Sequence, residues 1–391
     1  MAIKTVVTTV VPRVVLLACC LLLASCGMFD FLRSSKDEEP NALVDFDEEV
    51  QLDRLWSVNV GSGQGDKFNR IHPAMVGDMI YAAGNNGVVV AINRDTGKTV
   101  WRTRLDFDVT GGVGASNGLV LVGTDNSEVI ALSMDDGDIL WQAQVTSEVL
   151  SAPVTNGQVV VTQSIDGKLT GLDADNGAEL WIYESTVPAL SLRGDSSPLI
   201  VDAFVIAAFA NGSVVSIALD NGTLRWEERV AVPTGRSEID RLVDIDGELV
   251  VNEQGLLLVP SYQGYLAAID VVTGQSRWRV EESSEVGASF GFGNIYVVNE
   301  RDIVRAFRTA QETAVWENDQ MLLRKLSAPL GFSNYVAVGD DKGYVHLLAQ
   351  SDGRFVGRGK VGGGVRARML SQGNILYVYS NTGNLVAFRV Q

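Results

Sequence analysis

From about residue 54 to the C-terminus, short β-branched runs alternate with turns rich in Asn, Asp and Gly. The stretches Met79–Ala83, Val88–Asn93 and Lys98–Leu105 have strand length and strand composition. Adding His72–Val76 gives four strands, lettered A to D in chain order. Between them stand turns such as Asn85-Asn86-Gly87 and Asp95-Thr96-Gly97. Such triplets supply the positive φ that tight hairpins require.

The same pattern returns about every forty residues. Tryptophans fall at 56, 101, 141, 181, 226, 278 and 316, so the spacings are 45, 40, 40, 45, 52 and 38. A turn followed by an apolar run recurs eight times, at Gly87, Ser127, Gly167, Gly212, Gly264, Asp302, Gly343 and Gly383. A second turn recurs four residues before the tryptophan, as in Asp135-Asp136-Gly137 before Trp141. Glu312 replaces its glycine before Trp316. In the seventh copy Gly357 stands where tryptophan is due, with Phe355 on the same strand face.

Four antiparallel strands per forty residues make one propeller blade. Each tryptophan sits on the outermost strand, D, and is expected to pack between blades. The eighth copy ends after strand C, Asn384–Val390. Trp56, in Arg54–Val58, is a strand D with no A, B or C before it. The expected fold is therefore all-β: an eight-bladed propeller whose N-terminal strand completes the last blade and closes the ring.

Ahead of the repeats the pattern changes. Lys4 and Arg13 precede an apolar run, Val14–Leu23, too short to span a bilayer. Leu23-Ala24-Ser25-Cys26 resembles a bacterial lipobox. That resemblance implies a signal peptide over 1–25, cleavage, and lipidation of Cys26. Gly27 follows in place of the Asp that resembles an inner-membrane retention signal, which points to the periplasmic face of the outer membrane. Residues 26–50 are acidic and read as a tether, ending in a short helix from Asp45 to Asp53. The propeller is expected over 51–391.

Charge and composition then exclude several classes. Without Lys4 and Arg13 the remaining 29 basic residues face 48 acidic ones, a net of −19. No basic block offsets this, which excludes nucleic-acid binding. All three cysteines lie in the first 26 residues, so the body has no disulfide and no Cys-ligated metal. His72 and His346, the two histidines, fall in different blades and read as structural. No nucleophile elbow is present. No catalytic residue, metal or cofactor is expected.

The pattern from Ala91 through Asp95-Thr96-Gly97 to Trp101 resembles the repeat of the pyrroloquinoline-quinone enzyme propellers. Two exported families share it. The first, the quinoprotein dehydrogenases, is the alternative here, but the mature chain lacks a cysteine pair and the insertions that roof a quinone pocket. The second is the BamB family of outer-membrane assembly lipoproteins. Leu190-Ser191-Leu192-Arg193-Gly194 and the stretch Ser237–Asp246 look like the segments that distinguish it. The resemblance implies a non-catalytic scaffold of the β-barrel assembly complex. It implies that Leu190, Leu192, Arg193, Asp244 and Asp246 contact BamA, with unfolded outer-membrane proteins as further partners through strand edges.

Spacing bears on those segments independently. The two longest intervals between copies follow Trp181 and Trp226 and contain both of them. Each is a D-to-A connection, so both are expected on one face around blades three to five. Connections longer than the scaffold needs are where function concentrates. Leu190 and Leu192 alternate around Ser191, and Asp244 and Asp246 around Ile245. Both are expected to present an exposed apolar or charged side.

Overall fold

In the computed structural model the described residues are 39–391, apart from 66–67, 193–195, 235, 238, 240 and 310–312. Thirty-two strands form eight separate four-stranded antiparallel sheets. Blade one runs Ala74–Val76 (A), Met79–Gly84 (B), Val88–Asn93 (C) and Thr99–Arg104 (D), and the next six blades repeat this order. Blade eight takes its A, B and C strands from Leu370–Gln372, Ile375–Tyr379 and Asn384–Val390. Its D strand is Leu52–Asn59, which pairs Leu52 with Val390 and Asn59 with Asn384. The ring closes as the sequence implies.

The eight apolar clusters match the eight seams between blades. Ile80, Val90 and Ile92 of blade one meet Tyr377, Tyr379 and Leu385 of blade eight. Tyr81 and Val89 meet Val120 and Ile130 of blade two. Each sheet is buried on both faces, which is why strands B and C read as continuous apolar runs. Strand D, on the outside, alternates buried with exposed.

The tryptophans fasten the seams. Each indole N–H donates to a backbone carbonyl in the next blade: Trp56 to Arg94, Trp101 to Met134, Trp141 to Ala174 and Trp181 to Leu219. Trp226, Trp278 and Trp316 do the same to Val271, Thr309 and Gln350. The glycine of the neighbouring C–D turn lies flat on the ring. A Cβ on Gly137 would fall 2.5 Å from Trp101, and one on Gly177 2.7 Å from Trp141. Across each C–D pair a small residue faces the tryptophan, as Ala91 faces Trp101 and Gly171 faces Trp181.

One local expectation is overturned. There is no helix among the described residues; Asp45–Asp53 runs without regular structure through a bend at 49–50 into the closing strand at Leu52. Its amides are committed elsewhere. Glu49 and Val50 N–H both donate to the Val356 carbonyl on the D strand of blade seven, and Phe46 stacks on Phe355 at 5.4 Å. A docked strand edge outcompetes an isolated turn of helix.

Candidate functional site

Antiparallel order places A–B and C–D turns on one face of the ring, and B–C turns and D–A connections on the other. The second, hereafter the D–A face, carries the long loops. Residues 185–198 join strand D of blade three (Glu179–Glu184) to strand A of blade four (Leu199–Val201). Residues 230–249 join strand D of blade four (Leu224–Arg229) to strand A of blade five (Val250–Val251).

The two loops touch. Leu192 N–H donates to Asp244 Oδ2 at 2.8 Å, while Ile245 N–H donates to Asp244 Oδ1 at 2.9 Å. The segment around Asp244 is itself fixed, because Tyr262 N–H donates to the Asp244 carbonyl and Val243 and Ile245 are buried. Asn211, in a B–C turn, donates to the hydroxyls of Ser185 and Thr186 and holds the start of the first loop. Polar anchors thus tie both loops to the ring, while several of their apolar side chains remain in solvent. Val187, Leu190, Val232 and Ile239 are 44%, 46%, 57% and 70% exposed. Leu192 is half-buried at the junction.

The aspartates differ from expectation. Asp244 and Asp246 are buried, 1% and 6% exposed, and present no charge to solvent. The two carboxyls are close enough to shift each other's ionisation. Burial raises the pKa of both carboxyls. The neighbouring Asp246 charge raises Asp244 further, whereas Arg70 partly offsets the rise of Asp246. The expected alternation around Ile245 is absent, since Val243, Asp244, Ile245 and Asp246 are all buried. Ile245 packs in the apolar seam of blades four and five, while Asp246 turns to Arg70 at the charged channel mouth. Arg193 lies outside the described residues, as does Cys26.

Sequence reasoning missed the residues at that mouth. The loop 60–73, between blades eight and one, crosses over the axis. Arg70 donates to the Glu285 carbonyl of blade six at 2.6 Å. Phe68 is exposed and lies under the Arg366 guanidinium at 3.9 Å. Glu248 meets His72 at 3.0 Å and Arg368 at 3.7 Å, and accepts from Ser197 at 3.1 Å. Burial pushes the Glu248 carboxyl up, but Arg368 and His72 outweigh it and hold its pKa at about 2. Side chains from all eight blades fill the axis and leave a cavity of about 30 Å³, room for about one water. The signal for this loop was present in the sequence: Trp56 to Trp101 is 45 residues, the same excess as Trp181 to Trp226.

Chemically, the face offers exposed apolar side chains beside an ionic network around Glu248. It groups no three metal-ligating residues among the described residues. The described residues include no helix long and apolar enough to cross a membrane.

Three comparisons bear on the chain. A family model described as "Outer membrane protein assembly factor BamB" matches residues 41–111 and 85–318. A protein of that name from Pseudomonas aeruginosa is 56% identical over 377 residues, covering 96% of this chain and 98% of the relative. The crystal structure of BamB from Moraxella catarrhalis superposes with a TM-score of 0.79 at 28% identity, covering 86% of this chain and 99% of that one. A quinohemoprotein alcohol dehydrogenase from Comamonas testosteroni superposes at 0.69 with 15% identity, covering 86% and 76%, and shares the fold alone.

Proposed function

We propose a function from one premise: the chain belongs to the BamB family of outer membrane protein assembly factors. It serves as a non-catalytic scaffold in the assembly of outer-membrane β-barrels and binds BamA through its D–A face. The observation that carries this reading is the pairing of the two longest loops, with Leu192 pinned to Asp244 and Leu190, Val232 and Ile239 left in solvent.

Pre-ordered loops lose little conformational entropy on docking, so the apolar contacts they make are retained as affinity. A few such side chains dominate most interfaces, and truncating one typically costs more than about 1 kcal/mol. Leu190 and Ile239 are contact residues in this reading, and Arg193 supplies a cation beside them. Asp244 acts from beneath as a positioning residue. Asp246 lies beside it, buried against Arg70.

The N-terminus completes the proposal. Residues 1–25 are removed, Cys26 is lipidated, and the mature chain is held at the periplasmic side of the outer membrane. Several acyl chains make that anchor stable where one would not.

The test is capture of BamA from detergent-solubilised outer membranes. Wild type is compared with Leu190→Ala/Leu192→Ala/Arg193→Ala and, separately, with Ile239→Ala, after circular dichroism confirms folding. Wild type retains BamA, and the triple variant loses it at unchanged thermal stability. Full retention by the triple variant would overturn the interface reading.

A further inference from the structure

Blade seven breaks the tryptophan rule. Its D strand, Phe355–Lys360, carries Gly357 at the tryptophan position, and Leu347 faces it where the other blades place Ala, Gly or Ser. Large and small have exchanged strands. The room left outside Gly357 is taken by the chain's own N-terminal segment. A Cβ there would lie 2.9 Å from Val50 Cγ2 and equally close to the Val50 carbonyl, and one on Gly359 3.0 Å from Leu52.

That segment, 41–50, is held along its whole length. At one end Asn41 N–H donates to the Leu322 carbonyl, and Arg324 Nη1 donates to the Asn41 carbonyl at 2.8 Å. Arg358 donates to the Val44 carbonyl at 3.0 Å and its guanidinium sits over Phe46 at 4.8 Å. At the other end Glu49 forms a two-point pair with Arg354 at 2.9 and 2.8 Å.

The two holding arginines are themselves set from inside the blade. Arg324 donates twice to Asp340, a carboxylate with no exposed surface. His346, also fully buried, bridges Asp340 Oδ2 at 3.1 Å and the Arg358 Nε–H at 3.2 Å. Its Nδ1 accepts from Arg358 only when the ring is neutral. Burial lowers its pKa and keeps it so.

Topology gives this segment a consequence. The closing strand of blade eight starts at Leu52, opposite Val390, which is the C–D turn face. A chain leaving the ring there would depart from the face opposite the long loops. Residues 41–50 run back down the outside of blade seven, and Asn41 ends against 320–324, a D–A connection.

We propose that Asn41–Val50 is a clasp that seats the membrane tether on blade seven, so that the tether starts from the D–A face, the face that carries the partner-binding loops. The inference rests on the reading of Cys26 as a lipid anchor. Gly357 is the residue that makes the clasp possible, since a tryptophan there would occupy the place of Val50. The clasp also stands between a pull on the anchor and the closing strand, whose ladder would otherwise open one bond at a time from Leu52.

The experiment uses the full lipidated protein in detergent micelles, with a nitroxide on Ala42→Cys, an exposed position. Phe46→Ser/Glu49→Ala releases the clasp by removing its stack on Phe355 and its pair with Arg354, with folding confirmed by circular dichroism, and Gly357→Trp displaces it from the other side. Expected is an immobilised spectrum in the otherwise wild-type chain and loss of the immobilised component in Phe46→Ser/Glu49→Ala. In cells, the same variant lowers the level of assembled barrels while its capture of BamA in detergent is undiminished.

A mobile label in the wild-type background, or an immobile one in both clasp variants, overturns the clasp. A released label with unchanged barrel levels overturns its routing role. So does loss of BamA capture in detergent, because the clasp would then act on the interface itself. If the wild-type chain captures no BamA, the interface reading falls instead, and the label spectra still decide the clasp.

Discussion

Asp246 keeps a carboxyl oxygen in the interior with no hydrogen-bond donor, next to Asp244 and Arg70. Its pKa is raised to about 6, by burial first. A raised carboxyl pKa favours the protonated form in the folded state. Its contribution to stability is complete below the unfolded value, near pH 4, and is lost as pH rises through the folded value. Asp246→Asn supplies a permanent donor toward Asp244 and removes that loss. The variant should match wild type at or below about pH 4, pull ahead between about pH 4 and 6, and exceed it by on the order of 2 kcal/mol above about pH 7, measured by urea unfolding across pH. Asp244→Ala strands the Leu192 N–H instead. It should cost about 1–3 kcal/mol and weaken BamA capture, whereas Leu190→Ala weakens capture at unchanged stability.

At the scale of the element, the unit is a tryptophan, the small residue facing it and the glycine of the next blade's turn. Trp141→Phe keeps the ring and loses one indole bond to the Ala174 carbonyl. It should cost about 1 kcal/mol by thermal unfolding, against about 3–5 kcal/mol for Trp141→Ala. Gly137→Ala meets both a positive φ of 77° and the Trp101 ring, and should cost more than about 1 kcal/mol. The C–D register also slips by one residue beside each pair, between Ala91 and Ile92 in blade one and between Ala131 and Leu132 in blade two. The skipped residue on strand D, Val100 or Leu140, is left 57% or 52% exposed. These bulges twist the outer edge and blunt it against pairing with another chain. The exposed apolar residues on strand D are therefore explained by the blade, while those on loops 185–198 and 230–249 are not. Val272 and Phe292 are also exposed, but in short turns of the opposite face, so loop length together with exposure is what singles out the D–A face.

At the scale of the molecule, closure is carried by one strand from each end of the chain. Removing Asn384–Gln391 takes away the C strand of blade eight, on which Leu52–Asn59 forms its ladder. Two seams then lose their cover at once, since the blade's residues belong to the clusters shared with blades seven and one. The truncated chain should not survive as a seven-bladed ring. Size-exclusion chromatography should show aggregation, and denaturation should lose its single cooperative transition.

The repeat was legible because local chemistry enforces it. Positive-φ turns need Asn, Asp or Gly, and strands buried on both faces need β-branched runs. Both demands are met within a few neighbouring residues, so the fold, the blade boundaries and the closing strand could be read from the chain. Loop length likewise marked 185–198 and 230–249, because a regular scaffold makes any excess visible. What a side chain faces is not a local property. Asp244 and Asp246 read as surface charges, and only the assembly of eight blades around one axis turned them toward Arg70 and Leu192. Asp45–Asp53 read as a helix, and only the groove beside Gly357 drew it into a clasp. The sequence by itself determined the blade and its number. The tertiary structure decided which polar groups are buried, because burial depends on partners hundreds of residues away, as Asn41 and Arg324 show.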